Sequence, residues 1–210
     1  MRLLVVTAVD AEAEAVRAGA DPGLVKVEPV GVGPAAAAAG TARLLALAEA
    51  AGRPFRAVLS AGIAGGFPGR AGLGATVIGV RSIAADLGAE SGDGFLPIES
   101  LGFGSSVLAA DEKLVESLTA ALPHAVAGDV LTLATVTGTA ASAAALAARH
   151  PGAVAEAMEG YGVACAAQAV GLPFAELRTI SNPIGPRDRA AWRLREAFSA
   201  LTAAAAAACG

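Results

Sequence analysis

The sequence predicts an α/β fold built on a largely parallel central sheet, and two patterns support this prediction. Short runs rich in Val, Leu and Ile alternate with alanine-rich stretches that favour helices along the whole chain of 210 residues. Glycine, proline or an acidic residue stands at most of the boundaries between these runs, where turns and helix ends are expected. A chain of this length can bury one complete hydrophobic core, so we expect a single domain over residues 1–210.

The first part of the chain predicts four strands and two helices. Strands are expected at residues 2–8, 24–30, 56–60 and 75–80. Asp10 is expected to cap a helix that ends at Gly19, because acceptor side chains are favoured just before a first turn. Pro34 is expected to open a second helix that ends near Ala51, because proline fits the first helical position.

The second part continues the alternation after residues 81–104, which show little periodicity and are interpreted as an extended connection. Asp111 is the predicted N-cap of the next helix, and Gly171 is predicted to close a later one. Helices are expected at 112–122, 139–149, 159–170 and 189–208. Strands are expected between them at 126–136, 154–158 and 173–181.

Charge and hydropathy narrow the classes of partner. The net charge is −4 and the isoelectric point is about 5.2, so the chain offers no basic patch for nucleic acid and no polybasic membrane anchor. The mean hydropathy of +0.60 comes largely from alanine, whereas a membrane-spanning helix needs roughly 20 strongly apolar residues. We therefore expect neither nucleic acid nor a membrane as a partner.

Cysteine and histidine are rare in the sequence. Cys165 and Cys209 do not make a disulfide framework and are expected to be free, which is consistent with the reducing cytoplasm. His124 and His150 both lie beside a proline at a predicted helix end. The sequence therefore argues against a histidine-based metal site and against a histidine catalyst.

Three polar residues stand where an apolar strand gives way to a helix or a loop. Glu12 follows the first strand, Glu159 follows the strand at 154–158, and Asn182 follows the last strand. Such junctions are where α/β folds present side chains to ligands. Two carboxylates in one pocket suit the cleavage of a glycosidic bond, because one can deprotonate water while the other holds sugar hydroxyls and steadies positive charge.

Each of these residues also has a simpler interpretation. Acidic residues favour helix N-termini by about 0.3–1 kcal/mol, which would account for Glu12 and Glu159. Asparagine before a proline such as Pro183 is common in turns, which would account for Asn182. The neighbours of Glu159 in the sequence are small and apolar, so they supply few groups that could hydrogen-bond its carboxylate. A buried carboxylate needs such a partner, and ribose hydroxyls can supply it.

The ordered set of Glu12, the glycine-rich segment 60–66, Glu159 and Asn182 resembles the purine nucleoside hydrolase and phosphorylase family. In that family, segment 60–66 is a loop that lies under the purine. The resemblance implies a three-layer α/β/α nucleoside phosphorylase-like fold with a central mixed, largely parallel sheet. It also implies a small-molecule nucleoside substrate, a cytoplasmic homodimer, and neither a metal nor an organic cofactor.

The resemblance assigns roles to individual residues. Glu12 is the residue that activates water, Glu159 binds the ribose hydroxyls, and Asn182 contacts the N7 edge of the purine and stabilises it as it departs. Many family members have serine where this chain has Ile63, so a hydroxyl contact is lost there. The substrate-binding residues that the resemblance implies, besides Glu159, are Gly62, Ile63, Met158, Arg178, Ser181 and Arg187.

Asn182 also indicates which base leaves. Adenine-releasing members of the family have aspartate at this position. A 6-oxopurine presents two acceptors, N7 and O6, which an amide NH₂ can serve and an ionised carboxylate would repel. Asn182 therefore predicts that hypoxanthine or guanine is the leaving base.

The substituent at the far end of the nucleoside is indicated by a charged cluster after Asn182. That cluster and the segment 86–90 resemble those of futalosine hydrolases, whose nucleoside carries an aromatic carboxylate. Arg187, Arg189 or Arg193 would bind this carboxylate through paired hydrogen bonds. A solvated helix start with Asp188 as its N-cap would explain the same cluster.

The implied reaction is hydrolysis of the N-glycosidic bond of futalosine to hypoxanthine and dehypoxanthinyl futalosine in menaquinone biosynthesis. Two alternatives stay open. One is an adenine-releasing nucleosidase for methylthioadenosine, adenosylhomocysteine or aminofutalosine, against which Asn182 argues. The other is a purine-binding protein without activity, against which the retention of Glu12 and Glu159 argues. The carboxylate of Glu12 would repel phosphate and so favours hydrolysis over phosphorolysis.

Overall fold

The computed structural model describes residues 3–92 and 94–210, and within them ten strands alternate with six α-helices. The strands are β1 Leu3–Thr7, β2 Val25–Pro29, β3 Ala57–Gly66, β4 Thr76–Ala84, β5 Gly88–Ser91, β6 Gly94–Pro97, β7 Val107–Ala109, β8 Val126–Thr132, β9 Ala153–Ala157 and β10 Phe174–Pro183. The helices are α1 Asp10–Gly19, α2 Pro34–Ala50, α3 Glu112–Ala121, α4 Ala140–Arg149, α5 Gly160–Ala169 and α6 Leu194–Cys209.

Eight of these strands form one mixed sheet in the order β10-β4-β8-β9-β3-β1-β2, with β7 paired to β4. Strand β10 also pairs with β3, so that β10, β4, β8, β9 and β3 close into a ring. The pairings of β1 with β2 and β3, of β10 with β3, and of β8 with β4 and β9 are parallel. The pairings of β10 and β7 with β4, and of β3 with β9, are antiparallel. The prediction of a central mixed, largely parallel sheet is therefore confirmed.

Helices cover both faces of the sheet, which gives the predicted three layers. On one face α1, α3 and α6 pack against the sheet around Val16, Leu59 and Leu201. On the other face α2 and α5 enclose Leu4, Val58 and other buried residues. The alanine-rich composition suits this arrangement, because small side chains allow the helices to approach the strands and each other closely.

The glycine-rich segment 60–66 is not a loop but the second half of β3. Its glycines at positions 62, 65 and 66 do not have the positive φ angles that would mark a turn. They are required because the strand lies in the closed ring and other groups cross it closely. A Cβ atom on Gly66, for example, would collide with the carbonyl oxygen of Ala71.

Two further predictions need correction at the level of elements. Within residues 81–104, β4 extends as far as Ala84, and β5 and β6 form a hairpin, so the segment is more regular than an extended connection. Position 93, between these two strands, lies outside the described residues. The last helix begins at Leu194 rather than at residue 189, because Asp188 caps a separate short 3₁₀ turn, Arg189–Ala191.

Helix starts follow the predicted capping residues in most cases. Asp111 accepts a hydrogen bond from the Leu114 amide at 3.0 Å and caps α3 as expected. Asp10, in contrast, is already the first helical residue of α1, and Val9 occupies the cap position. Glu12 is then at the third helical position, and its side chain accepts from the backbone N–H group of the cap residue Val9.

Two expectations drawn from composition can be compared with the structure. Both cysteines are free, with Cys165 partly buried and Cys209 buried. Among the residues described, no helix has the length and apolarity that crossing a membrane requires.

Candidate active site

Three buried glutamates surround one buried arginine at the centre of the molecule. Glu12, Glu159 and Glu176 are 4%, 6% and 0% exposed, and Arg178 is 1% exposed. The Arg178 Nε donates to Glu176 Oε1 at 2.9 Å, and its Nη1 lies 3.4 Å from Glu159 Oε2. Its Nη2 donates to the hydroxyl of Ser60 at 3.0 Å. Charged groups this deeply buried are retained only where they are paired and hydrogen-bonded, as they are here.

Glu12 reaches this cluster from the first turn of α1. Its Oε2 accepts the backbone N–H groups of Ala8 at 2.9 Å and Val9 at 3.3 Å. Its Oε1 accepts the N–H group of Ile63, on β3, at 2.9 Å. Glu12 thus caps its own helix, as the simpler interpretation held, and the same bonds also fix its carboxylate above β3. Ile63 therefore contributes to the site through its backbone amide, which binds the Glu12 carboxylate.

Gly62 makes the approach of Glu12 to Arg178 sterically feasible. A Cβ atom at this position would lie 2.6 Å from Glu12 Oε1 and 2.9 Å from Arg178 Nη1. Both distances are shorter than a carbon atom tolerates, so one of the charged groups would have to move. Glycine is therefore needed at position 62 because it leaves space for the two charged side chains, and not because the backbone turns there.

Glu159 occupies the cap position of α5. Met158 separates it from the end of β9. Its Oε1 accepts the N–H group of Gly33 at 3.2 Å, and its Oε2 faces Arg178. The expectation that Glu159 lacks a polar partner in the protein is therefore wrong, because Arg178 on β10, a strand distant in sequence, contacts it. Gly33 has a φ angle of +90°, which glycine adopts without strain, and Gly31 before it also has a positive φ angle.

Burial raises the pKa of the Glu12 carboxyl above its ordinary value. The positive charge of Arg178 and the amides of Ile63 and Ala8 act in the opposite direction, while the negative charge of Glu159 acts in the same direction as burial. A carboxylate in such surroundings is a stronger proton acceptor than one in water. The position is therefore suited to a general base.

Glu176 belongs to this cluster, although the sequence interpretation did not single it out. It accepts hydrogen bonds from Arg178 and from the hydroxyl of Ser82 on β4, and burial raises the pKa of its carboxyl. A Cβ atom on Gly160 would collide with both of its carboxylate oxygens. A signal was present in the sequence: Glu176 and Arg178, two residues apart in an otherwise apolar strand, must face the same side.

Asn182 lies away from the glutamates, beside a separate cavity. Its Oδ1 accepts a hydrogen bond from the Ser181 hydroxyl at 2.8 Å, and its Nδ2 donates to the carbonyl of Pro183 at 3.0 Å. Asn182 pairs with Gly65 of β3, three residues beyond Gly62. Three residues of a strand span about 10 Å, so Asn182 lies roughly that far along β3 from the position that Glu12 and Arg178 flank.

The arginines named from the sequence lie in different surroundings. Arg187 is exposed, lines the same cavity as Asn182, and places its guanidinium 5.7 Å from the centre of the Trp192 ring. Arg189 lies at the same distance from that ring, and Arg193 is 3.9 Å from an oxygen of Glu196. None of these three is buried, in contrast to Arg178.

Comparison with known proteins identifies the family. A sequence model of the Phosphorylase superfamily matches residues 15–210. The chain belongs to the Phosphorylase superfamily. The glutamates, the arginine and the asparagine described above are therefore features of a superfamily member, and all of them except Glu12 lie within the matched region.

Within the superfamily, the chain is similar to curated futalosine hydrolases. It is 52% identical over 218 residues to that of Streptomyces coelicolor, which covers 96% of this chain and 92% of the relative. It is 46% identical over 229 residues to that of Acidothermus cellulolyticus, with coverages of 97% and 91%.

Two solved structures share the fold of this chain at low sequence identity. The 5'-methylthioadenosine/S-adenosylhomocysteine nucleosidase of Neisseria meningitidis, in complex with methylthio-immucillin-A, superposes with a TM-score of 0.82 at 19% identity. That match covers 98% of this chain and 97% of the nucleosidase. The futalosine hydrolase of Helicobacter pylori superposes with a TM-score of 0.79 at 17% identity, with coverages of 96% and 94%. These matches confirm the nucleoside phosphorylase-like fold.

Proposed function

We propose that this superfamily member hydrolyses the N-glycosidic bond of futalosine and releases hypoxanthine and dehypoxanthinyl futalosine. The observation that carries the proposal is the identity of 52% to the Streptomyces coelicolor futalosine hydrolase across almost the whole of both chains. The buried glutamate cluster supports it, because hydrolysis of a nucleoside requires a base for water and a negative environment for a sugar that gains positive charge.

In this proposal Glu12 takes a proton from the water that attacks the anomeric carbon. Its carboxylate is held by amides from the turn before α1 and from β3, so little reorganisation is needed when the proton moves. Burial, which raises the pKa of the carboxyl, makes it a better acceptor than an exposed glutamate. The proton leaves the water as the oxygen–carbon bond forms and the bond to the purine breaks.

Glu159 is proposed to hold the ribose hydroxyls, with Met158 packed against the sugar. One oxygen of Glu159 is oriented by the Gly33 amide and the other by Arg178. Oε1 retains a lone pair that can accept from a hydroxyl group, whereas Oε2 accepts from both Arg178 and the Met158 amide. As the sugar approaches an oxocarbenium ion, these contacts strengthen, so that they contribute to turnover as well as to binding.

Asn182 is proposed to donate to N7 or O6 of the departing base, and Ser181 to hold the amide in that orientation. The hydroxyl of Ser181 donates to Asn182 Oδ1, which directs the NH₂ group away from Ser181. That group makes one hydrogen bond, to the Pro183 carbonyl, and has a second N–H available. An N–H donor stabilises the negative charge that develops on the base.

The proposal is tested by product analysis. The protein is incubated with futalosine, aminofutalosine, inosine and methylthioadenosine, without phosphate and then with phosphate. We expect free hypoxanthine from futalosine, and the free sugar in both buffers, because Glu12 would repel a phosphate at the anomeric carbon. A sugar 1-phosphate would make the protein a phosphorylase, and preferred release of adenine would favour the nucleosidase alternative.

The pH dependence of turnover provides a second test. The base must be ionised, so kcat is expected to fall as the pH falls through the pKa of Glu12. Because burial raises that pKa, the loss is expected to begin above the ordinary glutamate value of about 4.3. The measurement is the pH profile of kcat for hypoxanthine release. A profile that stays flat down to the pH where the protein unfolds would remove Glu12 as the base.

Arg187 is proposed to bind the aromatic carboxylate of futalosine, with Arg189 and Arg193 as the alternatives. Its guanidinium is exposed and lies against the ring of Trp192, so it can turn towards a charged group of the ligand. The reaction is further proposed to serve menaquinone biosynthesis, in the cytoplasm and as a homodimer. The support for these three points is the resemblance to futalosine hydrolases.

A further inference from the structure

A fourth buried glutamate lies outside the cluster around Arg178. Glu156, at the end of β9, is 5% exposed and lines the cavity that Asn182 also lines. Its Oε1 accepts the backbone N–H group of Thr137 at 2.8 Å, and its Oε2 accepts the hydroxyl of the same residue. Each oxygen therefore has one lone pair that Thr137 does not use.

The register of the sheet places Glu156 opposite Asn182. Gly65 of β3 pairs with Glu156 on one side and with Asn182 on the other. Paired residues on neighbouring strands point to the same face of a sheet, and neighbouring strands lie about 4.8 Å apart. The two polar residues are therefore separated by roughly 10 Å, with a residue that has no side chain between them. A carboxylate and an amide thus line one cavity from the two sides of Gly65.

The polar edge of hypoxanthine matches this pair in order. It presents the acceptors N7 and O6, and next to them the donor N1–H. An amide NH₂ serves the acceptors, and an ionised carboxylate serves the donor. Burial raises the pKa of the Glu156 carboxyl, while the two hydrogen bonds from Thr137 act against that rise and favour the ionised form.

We propose that Glu156 accepts the N1–H group of the departing 6-oxopurine and is the residue that excludes 6-aminopurines from the site. In adenine, N1 carries a lone pair and no hydrogen, so it would face the carboxylate oxygen with repulsion. This inference rests on the proposed function, because it assigns the base of that substrate to the cavity between Glu156 and Asn182. It adds a second contact to the one proposed for Asn182.

The test is the Glu156→Gln variant. Its carbonyl oxygen can still accept from the Thr137 amide, and its NH₂ group can donate to the Thr137 hydroxyl, so the local structure is retained. The NH₂ group can also donate to N1 of a 6-aminopurine. We expect the ratio of kcat/KM for futalosine over aminofutalosine to fall about tenfold to a hundredfold, which is the usual worth of one hydrogen bond to a charged group.

A matched control is Asp129→Asn on the neighbouring strand β8. Asp129 is also a buried carboxylate, 3% exposed, but its partner is Arg81 and it does not line the cavity. This variant is expected to leave the substrate ratio unchanged. If Glu156→Gln instead lowers kcat/KM for both substrates equally, Glu156 only supports the Thr137 segment and the inference is wrong.

Calorimetric binding of the free bases separates this inference from the proposed function. Wild-type protein is expected to bind hypoxanthine more tightly than adenine, and Glu156→Gln to reduce that preference by the same factor as it reduces the kinetic ratio. A wild-type protein that releases no base from futalosine would overturn the proposed function. A wild-type protein that releases hypoxanthine, together with a variant of unchanged preference, would overturn the inference about Glu156 alone.

Discussion

Glu12→Gln is expected to lower kcat for hypoxanthine release by about 10²–10⁴-fold, the usual contribution of a general base. The glutamine side chain has nearly the same shape, but its amide cannot take a proton from water. Binding of hypoxanthine should persist, because Asn182 and the cavity beside it are untouched. The measurement combines single-turnover kinetics with calorimetric binding of the base. Turnover close to that of the wild type would leave Glu12 with only its role as a helix cap.

Stability has to be measured alongside, because Glu12 also accepts three backbone hydrogen bonds. In the variant, the NH₂ group must face at least one of those N–H donors, which costs about 1–3 kcal/mol in the free energy of unfolding. Glu14→Gln is the matched control: it is on the same helix, loses the same charge, and is exposed. That control should keep both the turnover and the stability of the wild type.

Arg178→Met is expected to lower the free energy of unfolding by about 3–5 kcal/mol, the usual cost of removing one partner of a buried ion pair. Methionine fills part of the same volume but leaves Glu12, Glu159 and Glu176 without the guanidinium that they share. The measurement is urea-induced unfolding at neutral pH. Arg43→Met, which removes an exposed arginine from α2, is the control and should stay close to the wild type.

The loss of stability in Arg178→Met should depend on pH. Without the guanidinium, the pKa values of the buried Glu12 and Glu176 carboxyls rise further, because burial raises them and the opposing positive charge of Arg178 is lost. A carboxyl whose pKa is higher in the folded state than in the unfolded state stabilises the fold at low pH and loses that contribution as the pH rises. The deficit relative to wild type should therefore shrink as the pH falls towards about 4.3, the unfolded value. A deficit that is independent of pH would contradict this account.

The sequence was sufficient to predict the layers of the fold and the residues at strand ends. Alternating apolar and alanine-rich runs predict strands and helices because their periodicity follows from local geometry. Glu12, Glu159 and Asn182 were found because each stands at a junction between elements. The structure shows where these three lie and which groups they contact, and their catalytic roles stay predictions.

What the sequence did not reveal depends on contacts between distant segments. The glycines of β3 look like a turn because nothing local shows that Glu12 and Arg178 cross the strand. Glu159 looked isolated because its cationic partner is on another strand. Glu156 was overlooked for a related reason, since it lies within a short apolar run that was interpreted simply as a buried strand.

The ring of strands that closes at β10 has a consequence for the order in which the molecule is completed. Strand β10 joins β3 to β4 and carries both Glu176 and Arg178, yet it is the last strand along the chain. A ribosome releases the N-terminal segments first, so Glu12 and Glu159 are synthesised before the arginine that neutralises them. Until residues 174–183 have emerged, the ring stays open between β3 and β4. Each of these two strands then lacks the pairing with β10 that it has in the folded protein. A nascent chain that stalls shortly before this point would expose unpaired strand edges, which makes it a substrate for chaperones rather than a partial enzyme.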